Sequence, residues 1–380
     1  MIGSNLPHSC KEKLALSIFL SNITADIKNL NCERIMKRIL AAALPLVLTT
    51  SIHAATFTPG NLVVDRIGDG SIALSAIAAP VFLDELTTAG FPVQSVALPT
   101  TVSGVNWRLV DTGSGTTAGQ ITRSADGQYI LVPGYDAAVG TAGIATTLSS
   151  AANRVIGRVD FLGNINTSTA LSDSSYSGNA IRSVASINGT AFWASGNATT
   201  AANGGVRYVS SLGGSTSLQL TTNPQNSRNV SIQGGQLFIS AQSGTFRGVD
   251  SVGTGVPVTS GQTSTLLPGF DPLNTSPESA YGFVFADATA QNFLGTGFDT
   301  LWIADDRTAS PGGIQRWTYN GSTWTLSANL LLGGSGNLGA RGLIGSYDSG
   351  SGAMTLFATT TETSANQIIR LTDMFDGSST

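Results

Sequence analysis

Residues 180–222 contain three stretches in close succession: "AIRSVASINGTAFWAS" (180–195), "GVRYVSSLG" (205–213) and "STSLQLTT" (215–222). Each alternates apolar and polar residues, the period-2 pattern of a half-buried strand. Asn188-Gly189 divides the first stretch in two, and Gly213 separates the last two. Glycine at such steps supplies the positive φ that tight hairpin turns require. The segment therefore predicts four consecutive antiparallel strands.

The outline recurs along the chain. Strands closing on a glycine include "VFLDELTTAG" (Gly90), "VIGRVDFLG" (Gly163), "TFRGVDSVG" (Gly253), "GIQRWTYNG" (Gly321) and "QIIRLTDMFDG" (Gly377). Strand pairs precede most of them, as in "ITRSADGQYILVPG", "SRNVSIQGGQLFISAQ" and "ARGLIGSYDSGSGAMTLFAT", with Asp126-Gly127 and Gly234-Gly235 as further tight turns. Arg123, Arg182, Arg228, Tyr281 and Arg341 fall at equivalent places in the first strands, 59, 46, 53 and 60 residues apart. Four strands per unit in meander order describe the blade of a β-propeller. The expectation is an all-β chain of six blades, each a four-stranded antiparallel sheet, with seven as the alternative. The first unit has no innermost strand before Asn61 and the last has three strands. The closing strand is thus expected to be missing at the C-terminus, leaving unpaired sheet edges that tend to associate.

The first 55 of the 380 residues differ in composition from the rest. Lys37 and Arg38 precede an apolar run over 39–48, then Thr49, Thr50 and Ser51, then a small-residue exit at Ala54-Ala55. A bilayer span needs roughly 20 apolar residues, so the run fits a Sec-type signal peptide instead. Lys11, Lys13, Lys28 and Lys37 are the only lysines, and Cys10 and Cys32 the only cysteines. The expected organisation is a non-native upstream extension over 1–35, translation starting at Met36, a signal peptide over 36–55, and one propeller domain over 56–380, C-terminally incomplete. Localisation is expected to be extracellular or periplasmic.

The composition excludes much chemistry. His8 and His53 are the only histidines. A chain cut after Ala55 has no His, Cys or Lys, so no Ser-His-Asp triad, cysteine nucleophile, Schiff-base lysine or thiolate metal site is available. It keeps thirteen arginines and twenty Asp and Glu, a net charge of −7. That balance argues against nucleic acid or an anionic membrane as partner, and no membrane insertion is expected after cleavage.

At "TPGNLVVDRIGDG", "PVFLDELTTAG", "VQSVALPT", "TRSADGQYILVPGYDA" and "TFRGVDSVG" the sequence resembles a family of secreted bacterial proteins of unassigned function, over nearly all of 57–376. The resemblance implies a β-propeller, secretion and, in some members, a C-terminal extension. Members end with a strand similar to "FRGV" that is absent after Thr380. The resemblance implies no catalytic residues.

Candidate site residues follow from chemistry. Arg123, Arg182, Arg228 and Arg341, with Tyr281, open first strands and could ring one mouth of a central channel, where guanidinium forks suit carboxylate, sulfate or phosphate. The competing reading is structural: each ties its blade to a neighbour. The arginines of third strands, Arg158, Arg207, Arg247, Arg316 and Arg370, read as structural or solvent-facing. Asp305-Asp306, expected in a loop before Pro311-Gly312-Gly313, could serve acid–base work on glycosidic bonds or Ca²⁺ binding. No cofactor is expected, and Ca²⁺ has no motif behind it. Trp317 and Tyr319 share a strand face beside Asn320-Gly321 and could stack on a sugar, the alternative being packing between blades. The function expected is a secreted binding module for a glycan or a cell-surface protein. The alternatives are an extracellular polysaccharide hydrolase or lyase using Asp/Glu, Tyr and Arg, and a structural surface component.

Overall fold

The strands the alternating stretches predict form in order, and each hairpin glycine explains its turn. The computed structural model describes residues 56–71, 73–273, 277–288, 291–332, 338–362 and 366–374. The expected extension and signal peptide over 1–55 lie outside the described residues, as do 375–380 with Gly377. Described glycines that close hairpins take positive φ: Gly90, Gly163, Gly213, Gly253 and Gly321, as do Gly127, Gly189, Gly234 and Gly235 at the tight turns.

Strands β1 (Leu62–Ile67), β2 (Ala78–Leu86) and β3 (Pro92–Ala97) make the first antiparallel unit. A short strand β4 (Val110–Thr112) pairs with the start of β2 and touches the next unit, β5 (Thr122–Arg123), β6 (Tyr129–Tyr135), β7 (Arg154–Asp160) and β8 (Ile165–Leu171). β4 thereby fuses the first two units into one eight-stranded sheet. The sequence did not announce it, since three residues carry no periodicity.

Three four-stranded meanders follow: β9 (Ile181–Ala185) to β10 (Phe192–Gly196), β11 (Val206–Val209) and β12 (Leu218–Thr221); β13 (Ser227–Gln233) to β14 (Gln236–Ala241), β15 (Gly248–Val252) and β16 (Ser264–Leu266); β17 (Ala280–Ala286) to β18 (Thr300–Asp305), β19 (Gly313–Tyr319) and β20 (Trp324–Leu330). A three-stranded sheet, β21 (Ala340–Asp348), β22 (Ala353–Thr360) and β23 (Ile368–Met374), completes the described chain. The protein is all-β, with sheets built mainly of four antiparallel strands.

Successive sheets stack through their first strands: β9 contacts β13, β13 contacts β17, and β17 contacts β21. Apolar side chains fill the layers between sheets. Phe238 and Val249 from one sheet meet Phe283, Phe285 and Leu301 from the next, while Trp302 and Ala304 meet Leu343, Leu356 and Ala358. The approach is close at Gly282, where a Cβ would lie 2.7 Å from Leu343 N and 2.9 Å from Arg341 O. Only glycine fits there, because neither atom belongs to a side chain that can turn away.

Arg154 shows how a charge is buried in this fold. It is fully enclosed, and its Nη atoms donate to the carbonyls of Thr147, Ala152, Tyr176 and Asn179. One guanidinium thus serves four loop carbonyls, of which those of Thr147 and Tyr176 also accept the N–H groups of Gly178 and Asn179.

Candidate functional site

The first strands share a backbone irregularity that sets the site. In β13, Ser227 pairs with Ala241 and Val230 with Ile239, so Arg228 and Asn229 oppose one residue. In β17 and β21 the same two-against-one shift brackets Tyr281-Gly282 and Arg341-Gly342. In β9 a shift of one residue falls at Arg182, between the pairs Ile181–Gly196 and Ser183–Ser195. A bulge re-aims the side chain it carries. Here it turns the second residue of each strand toward a neighbouring sheet, the next one for Arg182 and Arg228 and the preceding one for Arg341.

The contacts are consistent from sheet to sheet. Arg182 donates through Nη1 to Asn226 Oδ1 and, at 3.1 Å, to the carbonyl of Ser227, the first residue of β13. Arg228 donates to the carbonyl of Ala280, the first residue of β17, at 3.3 Å, to Ser279 Oγ at 3.0 Å and to Gln242 Oε1 at 2.5 Å. Its guanidinium also lies 3.9 Å from the centre of the Tyr281 ring, a stabilising cation–π geometry. Arg341 approaches the same ring at 5.7 Å and Asp306 Oδ2 at 3.6 Å. The structure thus brings Arg182, Arg228, Tyr281, Arg341 and Asp306 into one connected cluster.

Charge is unevenly distributed in it. Arg182 and Arg228 are 6% and 7% exposed, and the ion pairs of the described residues do not include either. Burial, with Arg228 alongside, pulls the Arg182 pKa down to about 10. Burial likewise lowers Arg228 and raises the Tyr281 phenol. Buried Arg182 Nε and Arg341 Nε have no acceptor, and the enclosed Tyr135 hydroxyl has no partner.

The remaining sequence candidates are placed otherwise. Arg123 is exposed and pairs with Ile130 without a bulge, its guanidinium resting by Gly127 of its own turn. It does not join the other arginines. Asp305 ends β18 instead of lying in a loop, and it is fully buried. It accepts Ser279 N–H at 2.8 Å and a two-pronged contact from Arg307 Nε and Nη2 at 2.7 Å each. Asp306 turns the other way, toward Ser279 Oγ and Arg341. Trp317 is not a platform for sugar: it is 5% exposed and stacked on Phe270 with ring centres 4.0 Å apart. Tyr319 is half-buried against Phe293 and Trp324. The neighbouring loop with Phe270 covers this face, which periodicity along one strand does not reveal.

Sequence reasoning missed Ser279, Asn226 and Gln242, the neutral acceptors of the cluster. The first two directly precede the opening residues of β17 and β13, and that offset is the signal that could have found them. It also missed Asp65 and Asp111, described below. Among the described residues, no group of three or more His, Cys, Asp or Glu is placed to hold a metal ion. None of their helices is long and apolar enough to cross a membrane. A small hollow lined by Leu74, Ile77, Pro80 and Val139 shares no residue with the arginine cluster.

No family model matches the chain, and no curated protein matches it in sequence. Among solved structures, a candidate 6-phosphogluconolactonase from Bacteroides fragilis is similar at 11% identity and a TM-score of 0.45, over 85% of this chain and 81% of that one. A GH74 enzyme from Niastella koreensis gives 11% identity and 0.45, over 86% of this chain but 45% of that one. A protein of unknown function from Bacteroides thetaiotaomicron gives 10% and 0.41, over 84% and 74%. Activity does not transfer at such identities. The serial meanders themselves define the class: an all-β, propeller-like protein.

Proposed function

We propose that this protein is a secreted six-bladed β-propeller that works as a binding module, and that its ligand presents an anionic group to Arg182, Arg228 and Arg341. One observation carries the reading. Two arginines more than nine-tenths buried hydrogen-bond to neutral partners only, with Asp305 and Asp306 acting on Arg228 at longer range. Burying a charge without a counter-charge is costly, and a bound carboxylate, sulfate or phosphate offsets that cost through the guanidinium donors still unused. Asp305 is held by Arg307, which leaves Asp306 as the one carboxylate facing Arg341. Since those carboxylates are tied into the framework, binding without turnover is the expected behaviour.

Calorimetric titration of the full protein with sulfate and with oligogalacturonate tests this. Saturable binding is expected, with sulfate competing, and Arg182→Gln and Arg341→Gln should each weaken it by about tenfold, the loss of one charge-assisted contact. Arg123→Gln is the control and should bind as the parent does. Absence of saturable binding to either anion, or equal binding by all variants, would make the arginines clamps between sheets and nothing more. Release of shortened oligosaccharide during the titration would favour the hydrolase or lyase instead.

A further inference from the structure

Away from the arginines, two carboxyl groups meet where the first unit packs on the segment leading into β5. Asp65 on β1 stands opposite Leu83, and Asp111 on β4 stands opposite Ala79. Leu83 and Ala79 are an even number of residues apart on β2, so both aspartates project from one face. They converge on Gly119. A Cβ there would lie 3.0 Å from Asp65 Oδ2 and 3.2 Å from Asp111 Oδ2. Asp111 is 2% exposed, and its carboxyl accepts the Thr112 N–H on Oδ1 at 2.6 Å. Asp65 keeps part of its surface. The ion pairs of the described residues include neither aspartate.

We propose that Asp65 and Asp111 both stay protonated in the folded protein, and that this neutral pair keeps the first sheet closed on residues 119–121. Two adjoining carboxyls with no cation beside them cannot both ionise without repulsion. Burial pushes Asp65 up to about 7. It pushes Asp111 up to about 8, the Asp65 charge adding to the effect. The groups facing the pair are few. β2 presents Ala79, Val81 and Leu83; the lead-in presents Gly119, Gln120 and Ile121; β6 presents Tyr135, whose own raised pKa owes its second-largest push to Asp111. Arg154 and Arg182 act on Tyr135, not on the pair.

The seam has a route to the arginine cluster. Gln120, next to Gly119, donates its N–H to the Arg182 carbonyl at 2.9 Å. Opening at Gly119 therefore pulls on the bulge that aims Arg182. The protonation of the pair does not rest on the binding reading, and its test needs no ligand.

The sign follows from linkage. Both folded-state pKa values lie above the ordinary 3.8, so the folded chain holds these protons more tightly than the unfolded one. The stabilisation is fully present below about pH 4 and is lost progressively as pH rises to about 7–8. The experiment is the thermal midpoint of the full protein between about pH 5 and 9, for the parent, Asp111→Asn and Asp65→Asn. Asp250 is a further buried carboxyl with a raised pKa, so the difference between parent and variant is what counts. The parent's midpoint should fall toward alkaline pH, and each variant's should fall less. The infrared carbonyl band of a protonated carboxyl, seen in the parent near pH 6, should shrink in Asp111→Asn. If Asp111→Asn fails to fold, Asp65→Asn, at the less enclosed of the two positions, reads the same slope. Variants that keep the parent's slope overturn the proposal. So does added Ca²⁺ that flattens the parent's slope as fully as the variants do, since the pair would then be a cation ligand.

Discussion

Arg123 and Arg228 occupy the same place in their units, the second residue of a first strand, and they meet opposite fates. Arg228 is 7% exposed and bonded to the next sheet, whereas Arg123 lies on the surface by its own turn. Both strands carry an arginine at the repeat position, so residue type does not separate them. The ladder does. β13 slips by one residue at Arg228-Asn229, while β5 pairs Thr122 with Leu131 and Arg123 with Ile130 in unbroken register. A one-residue change of register moves a side chain to the other face. The bulge therefore converts a solvent-facing repeat position into an inter-sheet one, and it does so in β9, β13, β17 and β21.

The sharpest way to break this comparison is to remove both arginines in turn. Arg228→Met should lower unfolding free energy by about 2–3 kcal/mol, because three acceptors lose a charged donor and only part of that is returned by relieving a buried charge. Arg123→Met should fall within about 0.5 kcal/mol of the parent, as for an exposed position without a special contact. Urea unfolding of the two variants decides it. Equal losses would mean that the bulge does not set the energetic role of the position.

Strand order and turns were legible in the sequence because both rest on local rules. Period-2 alternation marked β9 to β12, and glycine marked the turns at Gly189 and Gly213, where φ is +73° and +79°. The repeat also placed Arg182, Arg228, Tyr281 and Arg341 in equivalent registers. What the site does with them was not legible. Which face Arg228 takes depends on a ladder slip, and what Trp317 meets depends on Phe270 from a loop some forty-seven residues earlier. Asp65 and Asp111 are joined only by a short strand, β4, that has no pattern of its own. Contacts between sheets are set by packing at long sequence separation, and single-strand periodicity carries no record of them.

A second pair of equivalent positions sharpens the lesson with an effect of opposite sign. Asp160 and Asp250 each stand three residues before the glycine that closes a third strand, Gly163 and Gly253. Asp160 ends its strand and caps the turn, accepting Leu162 N–H at 3.0 Å and Asn164 N–H at 2.9 Å. Asp250 lies inside the ladder, paired with Ile239 and Leu266, because the strand after its turn starts late, at Ser264. No turn N–H reaches it. Both its carboxyl oxygens are buried without a partner, and burial holds its pKa well above 3.8. The folded state therefore keeps a proton that the unfolded state releases, and stability falls as pH rises above about 4. Asp250→Val puts a strand-favouring apolar side chain in that place. It should be more stable than the parent by about 1–2 kcal/mol at pH 8, the cost of an unsatisfied polar group, with the advantage shrinking toward pH 4. Asp160→Ala should instead lose about 1 kcal/mol at pH 8, since a turn cap is removed. Denaturation of both variants at the two pH values is the check. A valine variant less stable than the parent at pH 8 would mean that Asp250 has a favourable partner in the folded protein, and that the late start of β16 is not what strands its carboxyl.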